Sequence, residues 1–349
     1  MGTIDADAHV LETPETWSYL SDDEKQYLPM IVSQSFGNEL INPSGLVMRD
    51  YWVVEGGVHA KDFNVGADTP QDAREMADVT RRLAHMDELG VDVQVLYPTL
   101  WLRPVAKSAA AELALCRSYN RWLADIHERG GGRLRWVVQP PLKSMASMRD
   151  ELVFCKEHGA VGIMMRGLEC ELPLSDPYFF PLYELAGELD LAVCVHSANG
   201  SFTHHGFFLR DTTFTQFKLA TVGAFHSLLM KEVPAQFPNV RWAFVEIGSS
   251  WVPYALTDLR DRFERQGKPF SDSPFADNNL WVACETKDDL PYILARTGDD
   301  HMIIGTDYGH ADPATEISAL LRIGSDDRLE PEVRQKILDD NPRRLYGLG

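Results

Sequence analysis

Six residues of this chain are of types that bind divalent cations or move protons, and each lies in or just after a short apolar run. They are Asp7 and His9, then His196, Glu246, Glu285 and Asp307. In the first run, Ile4-Asp5-Ala6-Asp7-Ala8-His9, acidic or imidazole residues alternate with apolar ones. A strand turns successive side chains to opposite faces, so Asp5, Asp7 and His9 are expected on one side. Charges buried at that density need partners or a cation, and carboxylates aimed at one place repel one another without one. Any one of these residues reads most simply as a hydrogen-bonded core group; together they read as a metal site. Asp5, one step deeper, reads as structural.

Other polar residues carry weaker signals. Arg166 ends another apolar run, where it could hold a substrate carboxylate bidentately or pair with Glu169, Glu171 or Glu285. His204 and His205 follow the run that ends at His196 and divide evenly between a functional and an incidental role. His226 reads as packing behind the site, His59 has no assigned role, and His85, His127, His158 and His301 read as surface or structural residues. Trp17, Tyr51, Trp52, Tyr97 and Trp101 could wall an apolar pocket or simply pack, with Tyr97 and Trp101 the candidates for substrate contact.

The elements that must position these groups follow from periodicity. The apolar runs are Thr3–His9, Val91–Tyr97, Leu134–Gln139, Val161–Arg166, Leu191–His196, Val240–Glu246, Leu280–Glu285 and Met302–Asp307. Most are continuous, as strands covered on both faces are. Between them lie helical patterns: Pro70–Leu89 (stopped by Gly90), Ser108–Arg129 (stopped by Gly130-Gly131-Gly132), Met145–Glu157, Pro177–Leu189, Thr215–Gln236, Trp251–Arg265, Lys287–Thr297 and Glu330–Asp339. This alternation predicts an α/β protein with a parallel sheet, and eight units predict a (β/α)8 TIM-type barrel. An open doubly wound sheet is the lesser alternative, since no Gly-rich turn follows the first run. In a barrel the run ends converge on one face, where active sites sit. Residues 1–349 read as one domain, with 13–67 an insertion capping the barrel mouth.

Composition excludes several classes. The 349 residues are 44% hydrophobic and 24% charged, an ordinary globular balance. A net charge of −19 disfavours nucleic acid as a partner. Five Cys in no CxxC pattern predict a reducing, cytoplasmic setting rather than a disulfide framework. No apolar run reaches the roughly 18 residues of a membrane span, and the acidic start MGTIDADAHV does not read as a signal peptide.

The motifs IDADAHVLE, MDELGVDVQVLYPTL, CRSYNRWLADI, VHSANG, FPNVRWAFVEIGSSWVPYALTDL and IIGTDYGHADPATE, in this order along nearly the whole chain, resemble the amidohydrolase-related (amidohydrolase 2) family of the amidohydrolase superfamily. The resemblance implies a metal held by Asp7, His9, His196, Glu246 and Asp307, and a homo-oligomer. It also implies departures. Asp7 stands where decarboxylases of the family carry His or Glu, Glu246 stands where they carry His, and Tyr308-Gly309-His310 replaces their usual Tyr-Pro-Phe. With His310 added, the set has three carboxylates and three imidazoles, more than one ion needs. That inventory is similar to the superfamily's non-haem diiron monooxygenases. The favoured expectation is therefore two iron ions, with Asp307, Glu246 and His310 catalytic, hydroxylating a small or medium organic acid with the help of an electron donor. The alternative is a mononuclear Zn or Mn decarboxylase or hydrolase of an organic (aromatic) acid, in which Asp307 moves protons and Arg166 holds the substrate. A non-enzymatic binding module is disfavoured, because burying so many ionisable groups costs stability.

Overall fold

The computed structural model describes residues 2–33, 40–41, 47–48, 50–61 and 64–349. Its core is eight parallel strands: β1 Ile4–Val10, β2 Val93–Pro98, β3 Leu134–Val138, β4 Ala160–Arg166, β5 Ala192–His196, β6 Trp242–Val245, β7 Leu280–Cys284 and β8 Met302–Ile304. They neighbour one another in chain order. The seam between β8 and β1 is drawn together by a bridge from Ala8 to Tyr308 and by bonds from His9 N to Tyr308 O (2.9 Å) and Asp307 N to Asp7 O (3.0 Å). The predicted (β/α)8 barrel is thus the observed one.

Two apolar layers explain why these runs become strands. Ala6, Val95, Val137, Cys194, Ala243 and Ile303 fill the barrel interior. Leu96, Val138, Ile163, Val193, Phe244 and Ile304 turn outward against the helices. Those helices include α1 Val79–Leu89, α2 Ala109–Arg129, α3 Met148–Glu157, α4 Phe180–Glu188, α5 Leu219–Met230, α6 Val252–Arg265 and α7 Leu290–Thr297.

Several boundaries differ from expectation. Pro70–Leu89 is not one helix. Gln71–Arg74 stops, Met76 adopts a left-handed φ of 55°, and α1 restarts at Asp78, whose side chain accepts from Arg81 N. The expected helix over 215–236 opens as a π-helical turn, Phe214–Lys218, and breaks again at Glu232 (φ 52°). The last pattern, Glu330–Asp339, is part of a longer helical stretch that continues through a π turn into Asn341–Tyr346.

Period-two geometry also fails within β1. Between Asp5 and Ala8 the strand takes three steps where β2 takes two, from Gln94 to Leu96. This bulge turns Asp5 away from Asp7 and His9. Asp5 instead accepts from Gln94 Nε2 (2.9 Å), Thr306 N (2.9 Å) and Thr306 Oγ1 (2.6 Å). Gln94 in turn accepts from the buried Arg82 of α1 (2.7 Å). Asp5 is structural, as expected, on a face the simple alternation does not give.

In the segment after β1, Met30–Ser33, Asp50–Val54 and Gly57–Ala60 form an antiparallel sheet, and Trp17 packs edge-on against Trp52. Its return limb joins the loop after β8 through Gly66 N to Gly309 O (2.9 Å) and Ala311 N to Asn64 O (2.6 Å). Residues 34–39, 42–46, 49 and 62–63 of the expected insertion lie outside the described residues.

Candidate metal centre

The C-terminal rim of the barrel gathers the six residues of the expected ligand set, His310 among them. Asp7 and His9 come from β1 and His196 ends β5. Glu246 follows β6 directly, and Asp307 lies three residues past β8. Both of these carboxylate residues have left-handed backbones, with φ of 60° and 52°. Such conformations cost a non-glycine residue about 1–3 kcal/mol and cluster at functional sites. All six residues are buried.

Donor atoms of Asp7, His9, His196 and Glu246 lie within 4.8 Å of one another, and so do those of His9, Glu246, Asp307 and His310. His9 Nε2 is 3.5 Å from Asp7 Oδ1, 3.5 Å from Glu246 Oε2 and 3.4 Å from Asp307 Oδ1. His196 Nε2 is 3.4 Å from Asp7 Oδ1 and 3.0 Å from Glu246 Oε2.

Among the described residues, five buried atoms of this cluster have no hydrogen-bond partner: Asp7 Oδ1, His9 Nε2, His196 Nδ1, His196 Nε2 and Glu246 Oε2. His9 Nδ1 lies 3.0 Å from the Pro98 carbonyl, which only accepts, so the proton sits on Nδ1 and the Nε2 lone pair is free. Burial, aided by His310 and His196, holds the His9 imidazole well below its ordinary range. Burial and the nearby Asp307 push Glu246 well above its own. Buried lone pairs that converge with no donor are matched by a divalent cation, and the donor set fits one.

Asp307 and His310 are different, because their polar atoms are already engaged. His310 Nδ1 is 2.7 Å from Asp307 Oδ1, His310 Nε2 is 2.9 Å from Thr99 Oγ1, and Thr315 Oγ1 donates to Asp307 Oδ2 (2.5 Å). The Thr99 hydroxyl gives its proton to Val10 O (2.8 Å), so it accepts from His310. Nε2 therefore carries a proton, and a second proton must lie between Nδ1 and Asp307 Oδ1. Burial pushes Asp307 up to about 7 against the lowering effect of His310. Burial lowers His310, but Asp307, together with Asp312 and Asp7, raises it on balance above its ordinary value.

The other predicted contacts are placed elsewhere. Arg166 is spent on structure. Its Nε and Nη2 bind the Glu169 carboxylate at 2.8 and 2.5 Å, and Nη1 donates to the carbonyls of Trp101 and Arg103. Of the two expectations for Arg166, the pairing with Glu169 is the contact the structure shows. Tyr97 points into the barrel, where its hydroxyl meets that of Tyr346 (2.9 Å) and its ring lies 5.1 Å from His196. It forms a floor beneath the cluster and is fully buried. Trp101 is buried and reaches Arg166 through its backbone carbonyl. His204 contacts Asn199, His205 packs on Phe217, and His226 pairs with Asp258 on the adjacent helix.

Sequence reasoning missed Thr99, Thr315 and Lys218. Thr315, in the HADPAT stretch, had a signal in its closeness to Asp307; Thr99 and Lys218 did not. A cavity of about 330 Å³ opens at Glu246, lined in part by Leu102, Phe217, Lys218, Glu285 and Asp312.

The family model described as amidohydrolase matches residues 4–348. An amidohydrolase from Mycobacterium avium subsp. paratuberculosis superposes with a TM-score of 0.80 at 18% identity, covering 100% of this chain and 98% of that one. The 5-carboxyvanillate decarboxylase of Novosphingobium aromaticivorans, solved with manganese, gives a TM-score of 0.64 at 19% identity over 78% of this chain and 81% of its own. The 2,6-dihydroxybenzoate decarboxylase from Rhizobium gives 0.66 at 17% identity, covering 100% and 99%. These likenesses establish the barrel, and none of the three is described as a diiron monooxygenase. With the family model spanning all but the chain's ends, the protein belongs to the amidohydrolase family.

Proposed function

We propose that the protein is a mononuclear, divalent-metal-dependent enzyme that decarboxylates or hydrolyses an organic acid or its derivative. Asp7, His9, His196 and Glu246 are the ligands, and Asp307 with His310 is the proton store. The observation that carries this reading is the division of the six residues. Four offer unpartnered lone pairs, while two hold a proton between them and are otherwise satisfied. The manganese-bound decarboxylase of the same fold supports the lyase arm.

A cation in this site would polarise a substrate oxygen and stabilise the negative charge that develops on it. The chain's own residues supply the rest. Pro98 O fixes the His9 tautomer. Thr315 and His310 hold Asp307 in one orientation. In decarboxylation, the proton between Asp307 and His310 goes to the carbon that loses CO2. In hydrolysis, once that proton has left, the pair accepts one from the attacking water and returns it to the leaving oxygen. Leu102 and Phe217 give the cavity beside Glu246 an apolar wall.

A second reading, two iron ions and O2-dependent hydroxylation, is favoured by the overlap of the two ligand groups at His9 and Glu246. It requires His310 to give up the proton at Nδ1. One experiment separates the readings. Protein reconstituted with manganese is expected to hold one ion per chain and to turn over organic acids or lactones without oxygen. Two iron ions per chain and product formation only in the presence of O2 would overturn the mononuclear reading.

A further inference from the structure

The cavity above the ligand cluster contains a lysine that neither the ligand set nor the proton store uses. Lys218 ends the π-helical turn Phe214–Lys218, and Phe214, Phe217 and Lys218 all face this cavity. Single π turns are recurrent at functional sites, because the extra residue redirects side chains. This one is held firmly. Thr221, just beyond it, donates from Oγ1 to His196 O (2.8 Å), which ties the helix carrying the lysine to the strand carrying a candidate ligand. Close packing adds to this, since a Cβ on Gly167 would fall 2.3 Å from the Ala220 carbonyl carbon.

The hydrogen bonding around the lysine is unbalanced. Asp288 accepts from Ser249 N, Ser249 Oγ, Ser250 Oγ and Glu285 N, and Asp312 accepts from Ala314 N and Asn64 Nδ2. Glu285 is shared by two cations, Lys218 Nζ at 3.0 Å and Lys287 Nζ at 2.6 Å. Lys287 also donates to Pro313 O (2.7 Å). The carboxylates of Asp288, Asp312 and Glu285 are thus engaged, leaving Glu246 as the cavity carboxylate with an unpartnered oxygen, while the Lys218 ammonium, which carries three donors, uses one of them in its pair with Glu285 among the described residues.

We infer that Lys218 is the specificity-determining residue for an anionic group on the substrate. It receives a carboxylate carried on an apolar body, while a second oxygen function of the same molecule lies at Glu246 and His196. This inference rests on the mononuclear reading above and names the substrate class for it: a ring-sized acid bearing oxygen groups at two ends. In this arrangement Glu285 competes with the substrate for the ammonium.

The test uses full-length protein loaded with manganese and isophthalate as the probe, with its monomethyl ester as the singly charged control. Binding is measured by calorimetry. Wild type is expected to bind isophthalate at least tenfold more tightly than the ester. Lys218→Met should erase that preference, Lys218→Arg should keep it within about threefold, and Glu285→Gln should tighten isophthalate. Manganese content and thermal melting of each variant establish that the fold and the ligand cluster are intact. Equal isophthalate affinity in wild type and Lys218→Met, or no binding by wild type at millimolar probe, overturns the role of Lys218. A wild-type protein that fails to load manganese instead overturns the reading on which the inference rests.

Discussion

At the residue scale, the proposed division between ligands and proton store depends on hydrogen-bond direction. Thr99 decides it, because a hydroxyl that donates to Val10 O can only accept from His310. Thr99→Val removes that acceptor and leaves the four lone pairs untouched. Manganese content is expected to stay at the wild-type value while kcat falls by about 10- to 100-fold, in the range for a misplaced acid–base group. Metal analysis beside steady-state kinetics checks this, and a lost ion would place His310 among the ligands instead. His196→Ala makes the opposite prediction. It removes one of four donors, so manganese affinity should fall by at least tenfold, read by titration with a competing chelator.

At the element scale, the site depends on how tightly the β1 and β8 segments meet. Gly305 lies where a Cβ would come within 2.3 Å of Asp7 Cβ and 2.8 Å of Asp7 N. No rotamer relieves a contact with backbone, so Gly305→Ala must push the two segments apart. Overpacking of this kind costs about 1–3 kcal/mol. Urea unfolding should show that loss together with weakened manganese binding, because the displaced segment is the one bearing Asp7. A destabilised variant with unchanged metal affinity would show that Asp7 tolerates the shift. The bulge in β1 belongs to the same scale. It parts Asp5 from Asp7, and it lets one short strand supply a candidate ligand inward and an anchor outward toward Gln94 and, beyond it, Arg82.

At the scale of the whole molecule, stability and pH are linked through buried acids. Glu12 accepts from Thr99 N (3.1 Å) and Leu100 N (2.8 Å), yet burial outweighs these bonds and raises it from 4.5 to about 7. The folded state therefore holds this proton more tightly than the unfolded chain does. The resulting stabilisation is fully present below about 4.5 and is lost as pH rises through about 7. Metal-free Glu12→Gln cannot ionise there, so its stability relative to wild type should improve between pH 5 and pH 8. Urea midpoints at the two pH values test this, and a constant difference would refute it. The chain's −19 charge does not set this dependence, since most of it is carried by acids outside the core.

The sequence by itself determined the barrel, because eight apolar runs separated by helical patterns admit few other parallel arrangements. It also determined the six-residue inventory, since ionisable residues at strand ends stand out against apolar runs. The motif order was enough to identify the family. Tertiary structure alone decided what each residue touches. Arg166 had two readings until Glu169 was seen to occupy its guanidinium. The helix expected at 70–89 broke where Asp78 offered a better cap. His310 reads in the sequence as a ligand, and only the fold shows that Thr99, more than two hundred positions away in the chain, meets its Nε2. The physical reason is that periodicity is a local property of the chain, whereas the direction of a hydrogen bond depends on which partner the fold brings within 3 Å.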